Sequence, residues 1–390
     1  VIPDMWRCYQ IHECLSICNH ERKPISEDVR KTIPGPYPYY GPTQAQGYIA
    51  TYESEGPAVL IGEDGDHFLK YKDREMTMYV DGKYTVNNHA HVLRGTELCE
   101  TKWFYYAYQH KSLFDAITRQ GAGRYKLTKE ALLKLPLQCP PIEEQRKIIS
   151  ILNTQDKVIE LKEKRLAEKQ RQKKYLMQQL LTGKKRLPGF SEEWKIKPLK
   201  KLTEKQKKKN HGFQYRLVLS NSAQHGIVSQ DQEFDKEIAN EERIDGYYVV
   251  IPGAFVYNPR ISVTAPCGPI NVNETGETGI MSPLYTVFTI SSPQISQDFL
   301  KYYFQSSCWY KYVKGVANYG ARHDRISISD GDFFDMPIPL PTKEEQNYIA
   351  KVLSAADHEI DLLRQDIEQE KQKKKALMQL LLTGIVRVKT

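Results

Sequence analysis

The strongest constraint on this chain is a segment that occurs in it twice. Residues 136–183 and residues 337–384 align without a gap over 48 positions, and 19 of these positions are identical. The identities include a Glu-Glu-Gln triplet near the start of each copy and a Leu-Leu-Thr-Gly sequence at its end. A constant offset of 201 residues in a chain of 390 indicates a duplicated half-molecule. The fold must therefore accommodate two related halves.

Each copy of the segment predicts one long helix. Prolines at the start of both copies precede the predicted helices, and Glu143 and Glu144 suit the positive N-terminal end of a helix. Gly183 and Gly384 suit the C-terminal caps. A helix of roughly 40 residues would be about 60 Å long.

Apolar residues recur along both predicted helices in steps of three and four, which is typical of a coiled coil. The helix-pairing residues are predicted to be Ile148, Leu152, Ile159 and Leu166 in the first helix and Ile349, Leu353, Ile360, Leu363 and Ile367 in the second. Gln155 and Lys162 interrupt the first stripe, and we expect Lys162 to extend its ammonium group into water. If a pseudo-two-fold axis relates the halves, the helices pair antiparallel, with Ile360 and Leu363 near Ile159.

Composition limits the class of protein. No stretch approaches the roughly 18 apolar residues of a membrane span, and the seven cysteines predict free thiols in a reducing cytoplasm. The net charge of +8 is unevenly distributed, because residues 195–209 alone contain eight lysines. Such a run can be a merely solvated surface, but in a basic protein it favours nucleic acid as a partner.

The segments between the helices are rich in Tyr, Gly and Pro and contain short alternating apolar runs. They predict two α/β (α+β-like) domains built from short, irregular strands. We expect a first domain at 1–141, a first helix at 142–184, a second domain at 185–342, a second helix at 343–384 and a tail at 385–390.

Polar side chains in glycine- and proline-rich loops are the candidates for contact with nucleic acid. Gln44 and Gln46 can hydrogen-bond adenine in a bidentate manner, whereas neighbouring aromatic residues can equally well pack a turn. Candidates in the first half are Tyr37, Tyr39, Tyr40, Gln44, Gln46, Lys70, Lys72, Asn87, Asn88, His89, Arg119, Arg124 and Lys126. Candidates in the second half are Lys205, Lys207, Lys208, Lys209, Gln214, Tyr215, Arg216, Asn221, Gln224, His225, Asn258, Arg260, Arg322, His323 and Arg325.

Catalytic motifs are missing from the sequence. It contains no phosphate-binding Gly-x-x-x-x-Gly-Lys-Ser/Thr loop, and residues 258–260 (Asn-Pro-Arg) lack the second proline of the adenine-methyltransferase motif. His12, Cys14, Cys18 and His20 have a spacing that could hold zinc, but buried thiols explain the two cysteines as well. We predict no catalytic residue and no metal site.

The duplicated sequences of this chain resemble those of a known family. The sequences LPLQCPPIEEQRKIISIL and IPLPTKEEQNYIAKVL, the paired LMQxLLTG endings and the Trp-led halves are similar to the specificity subunit of type I restriction–modification enzymes. The resemblance covers the whole chain. It implies two target-recognition domains, each reading one half of a bipartite, asymmetric site in double-stranded DNA, separated by two antiparallel conserved helices.

The resemblance also implies partners. Such a subunit has no activity alone and assembles with two modification subunits, which methylate adenine with S-adenosylmethionine, and with restriction subunits carrying an ATP- and Mg-dependent motor and a nuclease. This chain would bind no cofactor itself. The resemblance assigns no base-contacting residue, because the variable halves match the family only in layout.

Two other classes of function remain at this stage. A coiled-coil adaptor could bind proteins through its tyrosine-rich halves, and a self-sufficient modifying or cutting enzyme is disfavoured by the missing motifs. Binding to random duplex DNA at rising salt separates a DNA-binding protein from an adaptor.

Overall fold

The computed structural model describes residue 3 and residues 5–120, 124–230, 241–318 and 324–389. The chain divides into two compact units. Unit 1 comprises Val1–Glu163 and Asp366–Thr390, and unit 2 comprises Lys164–Gln365. Both units therefore include parts of both duplicated segments.

Unit 1 contains twelve described strands and four short helices, all formed before the first long helix. The strands are β1 (Arg7–Gln10), β2 (Leu15–Ile17), β3 (Pro34–Tyr40), β4 (Ala45–Ile49), β5 (Ser54–Glu55), β6 (Ala58–Gly62), β7 (Thr77–Val80), β8 (Lys83–Val86), β9 (Ala90–Gly95), β10 (Thr118–Gln120), β11 (Arg124–Lys126) and β12 (Pro136–Cys139). The helices are α1 (Ile11–Cys14), α2 (Glu27–Thr32), α3 (Thr101–Tyr108) and α4 (Lys129–Leu133), with 3₁₀ turns at Asn19–Glu21 and His67–Lys70.

The strands of unit 1 form two four-stranded sheets and two ribbons. One sheet has the order β2-β9-β6-β7 and is antiparallel throughout, and the other has the order β4-β3-β8-β5 with β3 and β8 parallel. The ribbons pair β1 with β12 and β10 with β11. Strand β6 is buried over its whole length, as its run of apolar residues predicts.

Unit 2 has ten described strands and three short helices. The strands are β13 (Lys195–Pro198), β14 (Thr203–Lys205), β15 (Leu219–Ser222), β16 (Gly226–Ser229), β17 (Tyr248–Val250), β18 (Phe255–Tyr257), β19 (Ile270–Val272), β20 (Gly279–Met281), β21 (Thr286–Ile290) and β22 (Pro337–Leu340). The helices are α6 (Gln297–Gln305), α7 (Tyr310–Val316) and α8 (Asp330–Phe334), with 3₁₀ turns at Leu199–Lys201, His211–Phe213 and Glu241–Gly246.

The duplication is visible in the sheets. The ribbon β13–β22 has the register of β1–β12, and the sheet β14-β21-β18-β19 corresponds to β2-β9-β6-β7. Helix α6 follows its sheet as α3 does, and α8 precedes β22 as α4 precedes β12. The predicted mixed α/β domains with short strands are confirmed.

The two long helices are α5 (Ile142–Leu180) and α9 (Lys343–Leu381), both of 39 residues. Both end before a glycine in the left-handed region, with φ of +68° at Gly183 and +71° at Gly384. A Cβ atom at Gly183 would meet the Trp194 ring, and one at Gly384 would meet Pro3 and Trp6. Close approach and backbone conformation both therefore require glycine after each helix. Within the described residues, neither these helices nor any other combine the length and apolar content needed to cross a membrane.

The long helices run antiparallel where they meet inside each unit. In unit 1, Gln155 of α5 contacts Glu370 of α9, and Lys162 contacts Asp366. In unit 2, Lys169 contacts Glu359, and Lys173 contacts Asp357. The residue number on α9 falls as the number on α5 rises, as expected for antiparallel helices.

This register corrects the predicted seam. Ile360 is buried, but its neighbours Asp357 and Glu359 face residues 169–173 of α5 rather than Ile159. Ile159 lies instead opposite residues 366–370. The prediction aligned apolar residues alone, whereas charged pairs on both sides of the stripe fix the register.

The ends of the predicted stripe have a second role. Ile148 and Leu152 are buried in the core of unit 1, with Trp103 of α3 and with Leu381 from the end of α9. Ile349 and Leu353 take the same place in unit 2, with Leu180 of α5. Ile159, Leu363 and Ile367 are buried and Leu166 is half-buried. The N-terminal turns of each long helix are thus part of a domain core.

Candidate nucleic-acid interface

The frame that carries the candidate residues is fixed by a buried ion pair in each unit. In unit 2, Arg186 donates from Nε and a terminal nitrogen to the two carboxylate oxygens of Glu345, both at 2.7 Å. Trp194 Nε1 donates to the same carboxylate at 2.9 Å. The Glu345 side chain is 1% exposed. Arg186 thus joins the segment after α5 to the first turn of α9.

Unit 1 contains the same junction. Arg387 donates to the two oxygens of Glu144 at 2.6 and 2.7 Å, and the Glu144 side chain is 1% exposed. The Arg387 guanidinium lies 5.9 Å from the Trp6 ring centroid, and that of Arg186 lies 5.4 Å from Trp194. A glutamate, an arginine and a tryptophan therefore close the end of the helix pair in each unit.

The glutamine after each buried glutamate attaches the long helix to its domain. Gln145 donates to the carbonyl oxygens of Leu98 and Pro140, both at 2.9 Å, and accepts from the amide of Glu100 at 2.9 Å. Gln346 makes the same three bonds in unit 2, to residues 294, 296 and 341. Both glutamines are fully buried, so each satisfies loop backbone groups that have no access to water.

A third duplicated network lies about three turns further along each long helix. Tyr106 of α3 donates to Asp156 at 2.6 Å, and Lys374 of α9 pairs with the same carboxylate at 2.7 Å. In unit 2, Tyr302 of α6 donates to Asp357 at 3.0 Å, and Asp357 pairs with Lys173. Burial, followed by the nearby Asp357, raises the pKa of Tyr302, which remains a neutral donor. Each network joins both long helices to one domain.

The polar interruptions of the first stripe are paired. Gln155 Nε2 donates to Glu370 at 2.7 Å, and the Lys162 ammonium lies 2.7 Å from Asp366 and 2.8 Å from Glu370. The hydrogen bonds from Lys162 and then from Gln155 lower the pKa of Glu370 to about 2. The expectation that Lys162 extends into water was therefore wrong, because two carboxylates of α9 lie within its reach.

These junction residues were not predicted from the sequence. The Glu-Glu-Gln triplets were expected only to suit the positive helix terminus, whereas the first glutamate is exposed and the second is buried. The available signal was an arginine at the same distance after each Leu-Leu-Thr-Gly, at Arg186 and Arg387, together with the repeated tryptophan.

Several loops with candidate residues meet on one face of unit 1. Asn87 Nδ2 donates to Gln46 at 3.3 Å, which joins the loop after β8 to the start of β4. The amide of Glu63 donates to the carbonyl of His89, and the amide of Leu127 donates to that of Glu63. We call this the unit 1 loop face. Its exposed candidates are Gln44, Gln46, Asn88, His89 and Arg119, with Lys126 half-buried.

Glu63 organises the charges at the centre of this face. It pairs with Arg22 at 2.7 Å and with Lys126 at 3.4 Å. Burial raises its pKa, but the bond from Arg22 and the nearby cations outweigh burial, and the pKa of Glu63 is lowered overall. His89 pairs with Asp64 at 2.9 Å. Glu63 therefore partly neutralises both Arg22 and Lys126, and Asp64 holds the His89 ring.

Other candidates of unit 1 are placed apart or serve the fold. Lys70 and Lys72 are exposed at and just after a 3₁₀ turn. Tyr39 is 1% exposed, and its hydroxyl donates to Lys23 and accepts from the amide of Ile25. Tyr37 packs on Tyr52, and Tyr40 packs on Tyr84. The backbone of Arg124 lies in β11, and its side chain is outside the described part.

Unit 2 presents its candidates in two groups. In the first, Lys208 lies 5.8 Å from the ring centroid of Tyr215, and Asn210 exchanges hydrogen bonds with the Tyr215 backbone. Lys207, Lys208, Lys209, Gln214 and Arg216 are exposed around them. Lys205 differs, because it pairs with Asp330.

The second group is arranged around buried Asn221. Its side-chain amide donates to the backbone carbonyl of Val256 at 2.7 Å. Its backbone carbonyl accepts from the side-chain amide of Asn258 at 3.1 Å. The exposed residues of the two loops joined in this way are Gln224, His225 and Arg260. Asn258 is thus occupied in holding a loop, and its side chain also accepts from the Arg260 amide.

Arg325 lies beside this second group through a backbone bridge to Arg260. It is half-buried, and its terminal nitrogen is 3.4 Å from Asp324. Arg322 and His323 lie outside the described residues. The candidates of unit 2 therefore do not correspond one by one to those of the unit 1 loop face, although the frame beneath them does.

Fold and site together define a class of protein: two homologous α/β domains with unlike polar loop groups, held by duplicated junctions on two shared helices. Residues 3–170 match the family model described as the type I restriction modification DNA specificity domain. The match covers 168 of the 390 residues, and this part of the chain is similar to the DNA specificity domain of that family.

Specificity subunits from two organisms are similar to this chain in sequence. The chain is 23% identical to the MjaVIII specificity subunit of Methanocaldococcus jannaschii, over 100% of this chain and 94% of the relative. It is 26% identical to the MjaX specificity subunit of the same organism, over 73% of this chain and 67% of the relative. A specificity subunit of Haemophilus influenzae is 34% identical, but the match covers 37% of this chain and 35%, about a third, of the relative.

Solved structures agree in fold. A type I restriction–modification S subunit from M. genitalium superposes with a TM-score of 0.58 and 11% identity, over 96% of both chains. A chain from a structural study of complex assembly in the type I restriction–modification system gives 0.56 and 16%, over 99% of this chain and 100% of the other. The chain therefore shares the fold of these subunits over nearly its whole length.

Proposed function

We propose that this chain reads a bipartite DNA site, with one half-site recognised by unit 1 and the other by unit 2. The observation that carries the proposal is the contrast between frame and loops. The Glu–Arg–Trp, Gln–backbone and Tyr–Asp–Lys contacts recur in both units, whereas the exposed loop residues differ between them. A common frame with unlike loops is suited to the recognition of two different sequences.

The chemistry of the exposed residues supports this function. Gln44 and Gln46 in unit 1 and Gln214 and Gln224 in unit 2 can each pair with adenine edges in the major groove. Lysines and arginines beside them, such as Lys207–Lys209 and Arg119, would contact phosphates. Phosphate contacts set affinity and register, and the amide side chains distinguish bases.

We propose that α5 and α9 set the number of unread base pairs between the half-sites. Each helix has 39 residues and would extend about 58 Å at 1.5 Å per residue. A spacer of defined length would give the two half-sites a constant spacing and angular phase.

The partners proposed are two modification subunits and the restriction subunits of the system. Methylation of an adenine inside a duplex requires the base to leave the helix and enter a catalytic pocket. That pocket, with S-adenosylmethionine, would belong to the modification subunits, and ATP and Mg to the restriction subunits. This chain would position them on the DNA.

An exchange of domains tests independent reading. Replacing residues 1–135 by those of another specificity subunit should change one half-site and leave the other half-site and the gap unaltered. The half-sites are measured by sequencing methylated adenines in cells that contain the modification subunits.

The matched control replaces residues 188–336 in the same way and should change only the other half-site. If either exchange altered both half-sites, independent reading by the two units would be ruled out. A chimaera that modifies no DNA is informative only if it still assembles with the modification subunits, which co-purification establishes.

A further inference from the structure

Three cysteine thiols meet in the core of unit 1. Cys14 ends α1, Cys99 lies in the loop before α3, and Cys139 ends β12. Their sulfur atoms all lie within 4.8 Å of one another, and the residues are 0%, 0% and 3% exposed. We propose that Cys14, Cys99 and Cys139 form a binding site for a thiophilic metal cation, with Zn²⁺ as the preferred occupant.

The duplication supplies an internal comparison for this site. The backbone amide of Ile11 donates to Leu135, and that of Leu199 donates to Met336, so Cys14 and Leu202 occupy equivalent positions three residues later. Cys139 and Leu340 hold the same place in the paired ribbons.

The buried glutamines identify the residue of unit 2 that is equivalent to Cys99. Gln145 bonds the residues on either side of Cys99, and Gln346 bonds the residues on either side of Ile295. The three thiols of unit 1 therefore correspond to Leu202, Ile295 and Leu340, which are buried in the apolar core of unit 2.

This comparison argues against the interpretation that the three thiols serve only as apolar groups in the core. A buried thiol can serve as a small apolar group, and one cysteine in place of one leucine needs no other explanation. Here all three positions of one contact site carry thiols, and they use three of the seven cysteines in the chain. Three thiols also have a smaller volume than two leucines and an isoleucine.

The geometry is compatible with metal binding. A Zn–S bond of about 2.3 Å in a tetrahedral site places sulfur atoms about 3.8 Å apart. The sulfur atoms here need to approach by no more than about 1 Å, which side-chain rotation can supply. On binding, sulfur–metal bonds replace sulfur–hydrogen bonds, and the protons pass to the buffer.

The ligand set favours a soft cation. Thiolates select Zn²⁺ and Cu⁺ over Mg²⁺ or Ca²⁺. The other residues of the zinc pattern considered in the sequence do not join the site: His12 contacts the carbonyl of Leu133, and Cys18 lies in a different core. With three thiols from the described residues, Zn²⁺ would keep one position for an exchangeable ligand, whereas Cu⁺ needs none.

The consequence would be mechanical. The site joins α1, the loop that carries the Gln145 contacts, and the strand that leads directly into α5. A bound cation would therefore stabilise the attachment of the long helix to its domain, and binding would raise the melting temperature.

Metal titration of the purified, reduced full chain tests the proposal, with Zn²⁺ and, anaerobically, Cu⁺ as separate probes. We expect one equivalent of Zn²⁺ to remain after desalting. At free Zn²⁺ about 100-fold above the dissociation constant, the melting temperature should rise by about 5–10 °C. Stoichiometric Cu⁺ with no Zn²⁺ would overturn Zn²⁺ as the preferred occupant.

The triple variant Cys14→Leu, Cys99→Ile, Cys139→Leu copies the core of unit 2 and should bind neither metal. Cys18→Ser is the matched control and should bind as the wild type does. If the triple variant does not fold, alkylation of the wild type replaces it: bound Zn²⁺ should protect three thiols. Less than 0.2 equivalents on the wild type (roughly a non-specific level), binding by the folded triple variant, or unprotected thiols would each overturn the proposal.

Discussion

Replacing Arg186 by alanine is expected to destabilise unit 2 by about 3–5 kcal/mol. The Glu345 carboxylate is 1% exposed and accepts two of its three side-chain hydrogen bonds from Arg186. Without Arg186, a buried negative charge would keep only the bond from Trp194. The loss is measured as the shift of the urea or thermal unfolding transition.

Arg364→Ala is the matched control. Arg364 lies on α9 and pairs with Asp361, and both side chains are more than half exposed. Its removal should change the free energy of unfolding by no more than about 0.5 kcal/mol. Arg387→Ala should reproduce the large loss in unit 1. Equal, small effects of Arg186→Ala and Arg364→Ala would show that the buried junction does not hold the helix pair.

Ile360→Asp is expected to cost about 3–5 kcal/mol. Ile360 is 4% exposed, and the contacts of Asp357 and Glu359 with α5 place it on the side of α9 that faces α5. A carboxylate there would lie among apolar groups with no cation assigned to it. Thermal melting of the purified chain measures the loss.

Leu362→Asp is the control that separates the effect of burying a charge from the effect of helix propensity. Leu362 is two residues away on the same helix and is 51% exposed, so aspartate there carries at least as large an intrinsic helix cost without the desolvation of a charge. We expect a loss below about 1 kcal/mol for Leu362→Asp. If the two substitutions were equally mild, Ile360 would not be covered by α5, and the paired-helix account would fail.

The long helices were predictable because their signals are local and repeated. The prolines at the start of each copy, the glycine at its end and the identical triplets place both helices within a few residues of the observed Ile142–Leu180 and Lys343–Leu381. The antiparallel pairing followed from the duplication. The register did not, because it depends on contacts such as Lys173 with Asp357, and these join residues far apart in sequence.

The candidate DNA contacts show the limit of sequence patterns more clearly. Tyr39, Asn87 and Asn221 occur in sequence segments of the same composition as those of their exposed neighbours. Their polar groups nevertheless form hydrogen bonds with backbone or side-chain partners inside the fold. Whether a polar residue in a loop faces solvent is decided by tertiary packing. The three thiols illustrate the same point, since Cys14, Cys99 and Cys139 are spread over 126 positions.

Selection of a two-part DNA site by this chain can be tested by sequencing methylated adenines in cells that contain the modification subunits, with and without this chain. We expect methylation at one bipartite motif, with two unlike half-sites and a constant gap, only when the chain is present. The same methylated positions in both cell types, or a single uninterrupted motif, would contradict it.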